Sequence, residues 1–201
     1  MKSTCTINSL GDKCWYLNSI LHREDEPAVE RANGTKEWWI NGLLHREDGP
    51  ACEYNNGHKS WWINGLRHRE AGPAIENTDG SKEWYLNGKR HREDGPAIEW
   101  DNGDKSWYLH NELHRKDGPA IERADGTKEW YLNGQRHRED GPAFEYSNGH
   151  RYWFLNGKYH REDGPAIEFA DGSKLWYYHG KWIDCKDNQE FLRIIKLMVF
   201  L

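Results

Sequence analysis

The fold class predicted from the sequence is all-β: an elongated, single-sheet array of β-hairpin repeats, closed by a short C-terminal capping helix. Three observations predict it. A polar cluster, most fully written "HREDGPA", begins at His22, His45, His68, His91, His114, His137 and His160, stepping 23 residues each time without insertion or deletion. Periods of about 20 to 50 residues mark solenoids, propellers and arrays. Two turn dipeptides punctuate every unit, and Trp and Tyr, 12 and 10 of the 201 residues, recur at set places between them.

The chain divides into three parts. Residues 1–21 carry a partial copy, "GDKCWYLNS" at 11–19, and are read as an N-terminal cap. Residues 22–182 hold the seven repeats. With His as position 0, the unit reads H-R-E-D-G-P-A-I-E-x-x-D/N-G-x-K-x-W-Y-L-N-G-x-x. Asp/Asn-Gly at positions 11 and 12 (Asn33-Gly34, Asp125-Gly126) and Asn-Gly at 19 and 20 (Asn41-Gly42, Asn133-Gly134) supply the positive φ angles of tight hairpin turns. The "PAIE" and "KEWYL" runs between them have strand composition. Each repeat is therefore predicted to be two short strands.

Charge sets the register. Glu occupies position 8 throughout and Lys or Arg position 14, so a three-residue loop, which places Glu122 opposite Lys128, makes favourable cross-strand pairs. A two-residue loop would often set Glu against Glu. Trp holds position 16 in every copy and an aromatic residue holds 17. Adjacent strand residues face opposite ways, so each face carries an aromatic row, with the Trp row expected to be the better buried. Pro at position 5 suits a strand start or bulge.

Residues 183–201 break the period and are read as the capping helix. Asp187 and Glu190 have capping-box spacing before an apolar run. Phe191, Ile194, Ile195 and Met198 share a helical face, expected to meet Trp176 and Tyr178.

Composition narrows the function classes. A net charge of −5 gives no general attraction to nucleic acid or anionic membrane. The four cysteines have neither CxxC spacing nor a paired framework, which favours a reducing compartment. "MKSTCTINSL" lacks the apolar core of a signal peptide, and no stretch is long enough to span a bilayer. A cytoplasmic protein is expected, without membrane insertion.

The repeated His-Arg-Glu-Asp cluster has the residue types of a metal or acid–base site. Its seven copies are strung along a line, however, whereas catalytic pockets are concave and few. Ala71 replaces the Asp in one copy and Lys116 the Glu in another. The cluster is therefore read as structural, with no catalytic residue, metal ligand or cofactor assigned. Variation points elsewhere. Position 9 runs Arg31, Tyr54, Asn77, Trp100, Arg123, Tyr146, Phe169, and repeat scaffolds keep their frame while varying the contact surface. Arg31, Tyr54, Trp100, Arg123, Tyr146 and Phe169 are the candidate partner-binding residues, because Tyr, Trp and Arg are enriched at interface hot spots. Position 13 (Thr35, His58, Ser81, Asp104, Thr127, His150, Ser173) varies similarly.

The stretch "NGKRHREDGPAIEWDNGDKSWYL" at 87–109 resembles the MORN repeat in its period and in its N-G-x-x-H and D/N-G turns. It departs from that family in having H-R-E-D-G-P-A where H-G-x-G is usual, and in the spacing between the two turns. The resemblance implies an elongated sheet used for binding and no catalytic activity. Arrays of this "HREDGPA" flavour are similar to those of large DNA viruses and bacteriophages, which implies a viral protein in host cytoplasm. The function expected is a non-catalytic protein-binding scaffold, engaging or inhibiting a host factor if viral, with a homo-oligomer through the helix or a sheet edge as a further option. A nucleotide-like small-ligand sequestering or immunity protein is the alternative, and a hydrolase using the His-Arg-Glu-Asp cluster the weakest one.

Overall fold

The computed structural model describes residues 2–199, with only the backbone of Val199. Phe200 and Leu201, the end of the predicted helical segment, lie outside the described residues. The fold is mostly β, an array of antiparallel hairpins with a single C-terminal α-helix among the described residues. It divides into two compact units, Met1–Asp101 and Asn102–Leu201.

In the first unit, strand Thr4–Ile7 pairs with Lys13–Leu17, which pairs in turn with Val29–Glu30. The ladder continues through Lys36–Glu37, Cys52–Glu53, Lys59–Ser60, Ile75–Glu76 and Lys82–Glu83 to Ile98–Glu99. In the second unit it runs from Lys105–Ser106 through Ile121–Glu122, Lys128–Glu129, Phe144–Glu145, Arg151–Tyr152 and Ile167–Glu168 to Lys174–Tyr178, which turns back as Lys181–Ile183. Each ladder is open, with no pairing among the described residues that would close it into a barrel.

The predicted register is observed. Glu122 lies across from Lys128, and Lys128 in turn faces Glu145 of the next repeat. The loop holds three residues: Arg123 N–H donates to Thr127 O (2.9 Å) and Gly126 N–H to Arg123 O (3.0 Å), with Gly126 at φ 90°. The Asn-Gly turn is tighter. Asn133 (φ 50°) and Gly134 (φ 74°) join Tyr131–Leu132 to Gln135–Arg136 in a two-residue loop of the type I′ kind.

Three expectations are corrected. Each of the first six repeats contains four two-residue strands, not two, because the run through positions 14–18 breaks at Trp; in the seventh that run stays whole as Lys174–Tyr178. Trp130 N–H donates to Ala143 O (2.8 Å) and Trp130 O accepts from His137 N–H (3.1 Å), after which the chain leaves the main ladder for its own small hairpin. The Trp row is only half-buried throughout, while position 17 supplies the buried rings Tyr85 and Phe154. Finally, the glutamate and lysine rows face each other in register and Lys13 reaches Glu30 (3.5 Å), but further along the carboxylates turn to arginine: Glu122 takes Arg115 at 2.7 Å and Glu145 takes Arg138 at 3.0 Å. A bidentate-capable guanidinium held by a ring outcompetes a flexible, exposed lysine.

The core is thin. Each repeat sinks its Ala at position 6 (Ala28, Ala51, Ala74, Ala97, Ala120, Ala143, Ala166), and with it most of the apolar neighbours at position 7, such as Val29, Ile75, Ile98, Phe144 and Ile167. Each of these alanines is 0% exposed, and its carbonyl accepts the Trp N–H of the preceding repeat, as Ala143 O does from Trp130 (2.8 Å).

The helix Asn188–Val199 supplies the thickest packing. Phe191, 0% exposed, and Ile195 pack on Ile183, with Trp176, Tyr178, Ile194 and Met198 around them. Asp187 Oδ1 accepts Glu190 N–H (2.9 Å), as a helix N-cap should. The Glu190 carboxylate reaches back to Lys186 N–H (3.1 Å), one residue beyond the capping-box partner.

Candidate functional site

The polar cluster is a joint between consecutive turns. Its arginine is the hub. Arg138 stacks its guanidinium on the Trp130 ring at 4.1 Å, while Nη1 donates to Pro142 O (3.2 Å) and Glu145 (3.0 Å), and Nε donates to Asp140 (3.0 Å). The same stack recurs at 3.9–4.1 Å for Arg23, Arg46, Arg69, Arg92, Arg115 and Arg161 over Trp15, Trp38, Trp61, Trp84, Trp107 and Trp153. Glycine gives this fold-back room, since a Cβ at Gly141 would come within 2.9 Å of the Arg138 guanidinium, but it is not obligatory: Glu26 stands at the same place in the first repeat, where Arg23 still stacks on Trp15 and bonds Pro27 O. Where Ala71 replaces the aspartate, Arg69 keeps Pro73 O and Glu76.

The histidine is equally committed. His137 Nδ1 meets two atoms of Asn156 in the Asn-Gly turn, the backbone N–H at 3.2 Å and the side-chain Oδ1 at 2.9 Å. The other ring nitrogen, Nε2, faces Glu139 at 3.7 Å. The aspartates are pulled the other way. Hydrogen bonds from Arg46, Arg92 and Arg138 hold the Asp48, Asp94 and Asp140 carboxyls below the usual range.

Successive clusters enclose shallow clefts, about 620 Å³ between Arg69 and Asp94 and about 740 Å³ between Arg138 and Asp163. Trp84 or Trp153 floors them and exposed carboxylates such as Glu93 and Glu162 rim them. No group of three or more His, Cys, Asp or Glu able to hold a metal ion occurs among the described residues.

Of the position-9 residues, Tyr54, Trp100 and Tyr146 stand 42%, 41% and 40% exposed. Phe169 is half-buried against His150 (5.5 Å) and Tyr152 (6.3 Å). The two arginines do something else besides. Arg31 closes over Glu37 (2.8 and 3.0 Å) and Arg123 over Glu129 (3.1 Å), both carboxylates being buried. Arg31 and Arg123 thus neutralise the frame as well as facing solvent.

Position 13 belongs to the frame. In six copies its side chain accepts a backbone N–H from position 10 of the next repeat: Asp12 from Ala32, Thr35 from Asn55, Ser81 from Asp101, Asp104 from Ala124, Thr127 from Ser147, His150 from Ala170; His58 meets the Asn77 side chain instead (2.8 Å). The common factor, legible in the sequence but missed there, is that every residue used carries an acceptor close to its backbone. The order is informative too. Asp12, Thr35, His58, Ser81 in the first unit is followed by Asp104, Thr127, His150, Ser173 in the second, and "RANGTKEW" at 31–38 returns as "RADGTKEW" at 123–130. The two units are copies of one four-repeat block.

Position 15 was also passed over. It holds Glu37, Glu83 and Glu129, each the acceptor of a local network: Glu37 takes Trp39 Nε1–H (3.0 Å) besides Arg31, Glu83 takes Tyr85 Oη–H (2.9 Å) and Arg90 (3.3 Å), and Glu129 takes Tyr131 Oη–H (3.0 Å) besides Arg123. In the second repeat it is Ser60, an uncharged residue that accepts Trp62 Nε1–H (2.8 Å).

No protein-family model matches the chain, and no curated protein matches it. No described helix is long and apolar enough to cross a membrane.

Proposed function

We propose that this chain is a non-catalytic, protein-binding repeat scaffold of a divergent MORN-like type. The observation that carries the reading is the division of labour within each repeat. The residues with chemical capability, His and Arg of the cluster, are engaged by turn amides, Trp rings and carboxylates, whereas Tyr54, Trp100 and Tyr146 project from the frame with much of their surface unburied. Solvent-facing aromatics on a hydrogen-bonded sheet suit a protein partner. The clefts are rimmed by carboxylates, which repel phosphate, and this weighs against the nucleotide-sequestering alternative. With the resemblance of its repeats, the reading extends to a viral protein acting on a host factor in the cytoplasm.

The test is comparative capture. Immobilised wild-type chain and the Tyr54→Ala/Trp100→Ala/Tyr146→Ala variant are exposed to the same cell lysate. The reading expects a protein retained by the wild type and lost by the variant while circular dichroism is unchanged. Equal retention by both removes position 9 from the binding surface. A nucleotide-sized adduct in native mass spectrometry, with no protein retained, would favour the sequestering alternative.

A further inference from the structure

Position 22 carries an arginine in three repeats, Arg67, Arg90 and Arg136. Two of them have carboxylate partners in the same repeat: Arg90 with Glu83 at 3.3 Å, and Arg136 with Glu129 at 3.7 Å and Tyr131 Oη at 3.1 Å. Arg67 differs because its repeat has Ser60 at position 15. The neighbouring carboxylates are already taken, Glu37 by Arg31 and Trp39, Glu83 by Tyr85 and Arg90. What Arg67 has instead is aromatic. Its guanidinium lies 5.1 Å from the Trp62 ring and 5.4 Å from the Tyr85 ring, and its Nε is buried with no hydrogen-bond partner.

The geometry points to an anion site at Arg67, walled by Trp62 and Tyr85, that takes an oxyanion group, carboxylate or phosphate. Cation–π contacts offset part of the desolvation of a guanidinium but accept none of its N–H bonds in the way a carboxylate does. A buried donor without an acceptor is unfavourable, and at Arg90 and Arg136 the frame supplies the acceptor itself. Here serine replaces glutamate and leaves the guanidinium without that carboxylate. An oxyanion meeting a planar guanidinium can be held by two parallel hydrogen bonds, and the flat rings beside it favour a group attached to an apolar or aromatic body. This site goes beyond the protein-binding reading and does not depend on it.

The experiment follows the Arg67 Nε–H signal by heteronuclear NMR in the intact chain, titrated with sodium phosphate and separately with sodium acetate at constant ionic strength. The Arg90 and Arg136 signals serve as internal controls. Saturable movement of the Arg67 signal, with the controls still, is expected. A response to phosphate alone assigns a phosphoryl group; a response to acetate assigns a carboxylate. Ser60→Glu, which places at 60 the residue that Glu83 and Glu129 supply in their own repeats, should fill the site and weaken binding at least tenfold. Arg67→Tyr, the residue found at the equivalent Tyr159, should abolish it and guards against misfolding of the glutamate variant. Movement of all three arginine signals together, or a thermal shift with phosphate that is the same in wild type and Arg67→Tyr, would overturn the proposal. Lysate capture unaffected by Arg67→Tyr would leave the anion site standing, so the two readings fail separately.

Discussion

Arg67 and Tyr159 occupy the same place in the two units, four repeats apart, and around them the same frame carries opposite chemistry. In the first unit Cys52, Ser60, Trp62 and Asn77 stand at the positions that accompany a cation. In the second, the equivalent Phe144, Tyr152, Phe154 and Phe169 join Tyr159 in an aromatic cluster, with Phe154 and Tyr159 centroids 4.2 Å apart, Tyr159 and Tyr177 at 5.1 Å, and Phe144 and Tyr146 at 4.1 Å. Burial pushes the Cys52 thiol up to about 11, so this sulfur is a small apolar filler, not a nucleophile. The polar joints are alike: each arginine stacks on its Trp and bonds its glutamate in both units. Duplication kept the joints and let positions 7, 9, 15, 17 and 22 diverge. Their side chains neighbour one another, so this group can turn from polar to aromatic without disturbing the arginine hub.

The largest effect expected on this comparison comes from the helix, which has no counterpart among the described residues of the first unit. Phe191→Ala empties a fully buried site and should destabilise the second unit by about 3–5 kcal/mol. Hydrogen exchange should accelerate across residues 174–199 and leave residues 4–76 unchanged. Uniform acceleration would mean that the units unfold as one. Deleting residues 188–201 goes further and should cause aggregation, since Lys181–Ile183 would then present an uncovered edge; a truncated chain that stayed monomeric and equally stable would make the helix dispensable for folding.

Next come the buried carboxylates. Glu129 accepts from Arg123 and Tyr131 and lies near Arg136, whereas Glu37 accepts from Arg31 and Trp39. Replacing either by alanine strands its donors and should cost about 1–3 kcal/mol, more at 129. Urea melts that rank the two in reverse order would show that Arg136 contributes nothing there.

Smaller, and predicted to be equal, are the effects of Thr35→Val and Thr127→Val. Each removes the acceptor of one repeat-to-repeat N–H bond, from Asn55 and Ser147, worth about 1 kcal/mol. A difference exceeding that value between them in thermal melts would contradict the view that row 13 plays the same part in both copies.

The smallest is a pH effect in the second unit. Burial, and then the stacked imidazole of His179 at 4.2 Å, hold the His160 pKa below the usual histidine value. The unfolded chain then binds more protons than the folded one once pH falls below about 6.5. The stabilisation is complete above that pH and is lost as pH falls toward the folded value. The protection factor of the His179 amide, which donates to His160 Nδ1, should therefore drop between about pH 7 and 5. Replacing His179 with Asn, the residue at the equivalent position 87, should lessen the drop; no change would mean that burial alone sets the shift.

The period, both turn types, the Glu–Lys register and the helix face are legible in the residues alone, because each depends on neighbours within one repeat. Asn-Gly and Asp-Gly turns choose their own dihedrals, and a loop length settles which residues face each other. Where the charges went was set by packing between repeats. Glu122 faces Lys128 in register yet bonds Arg115, because Arg115 is held in place by a Trp from the preceding repeat. The break at Trp, the acceptor role of row 13 and the unmatched Arg67 share that origin. Each arises where one repeat meets the next, and a side chain's partner there is set by stacking distance and burial that no single repeat contains.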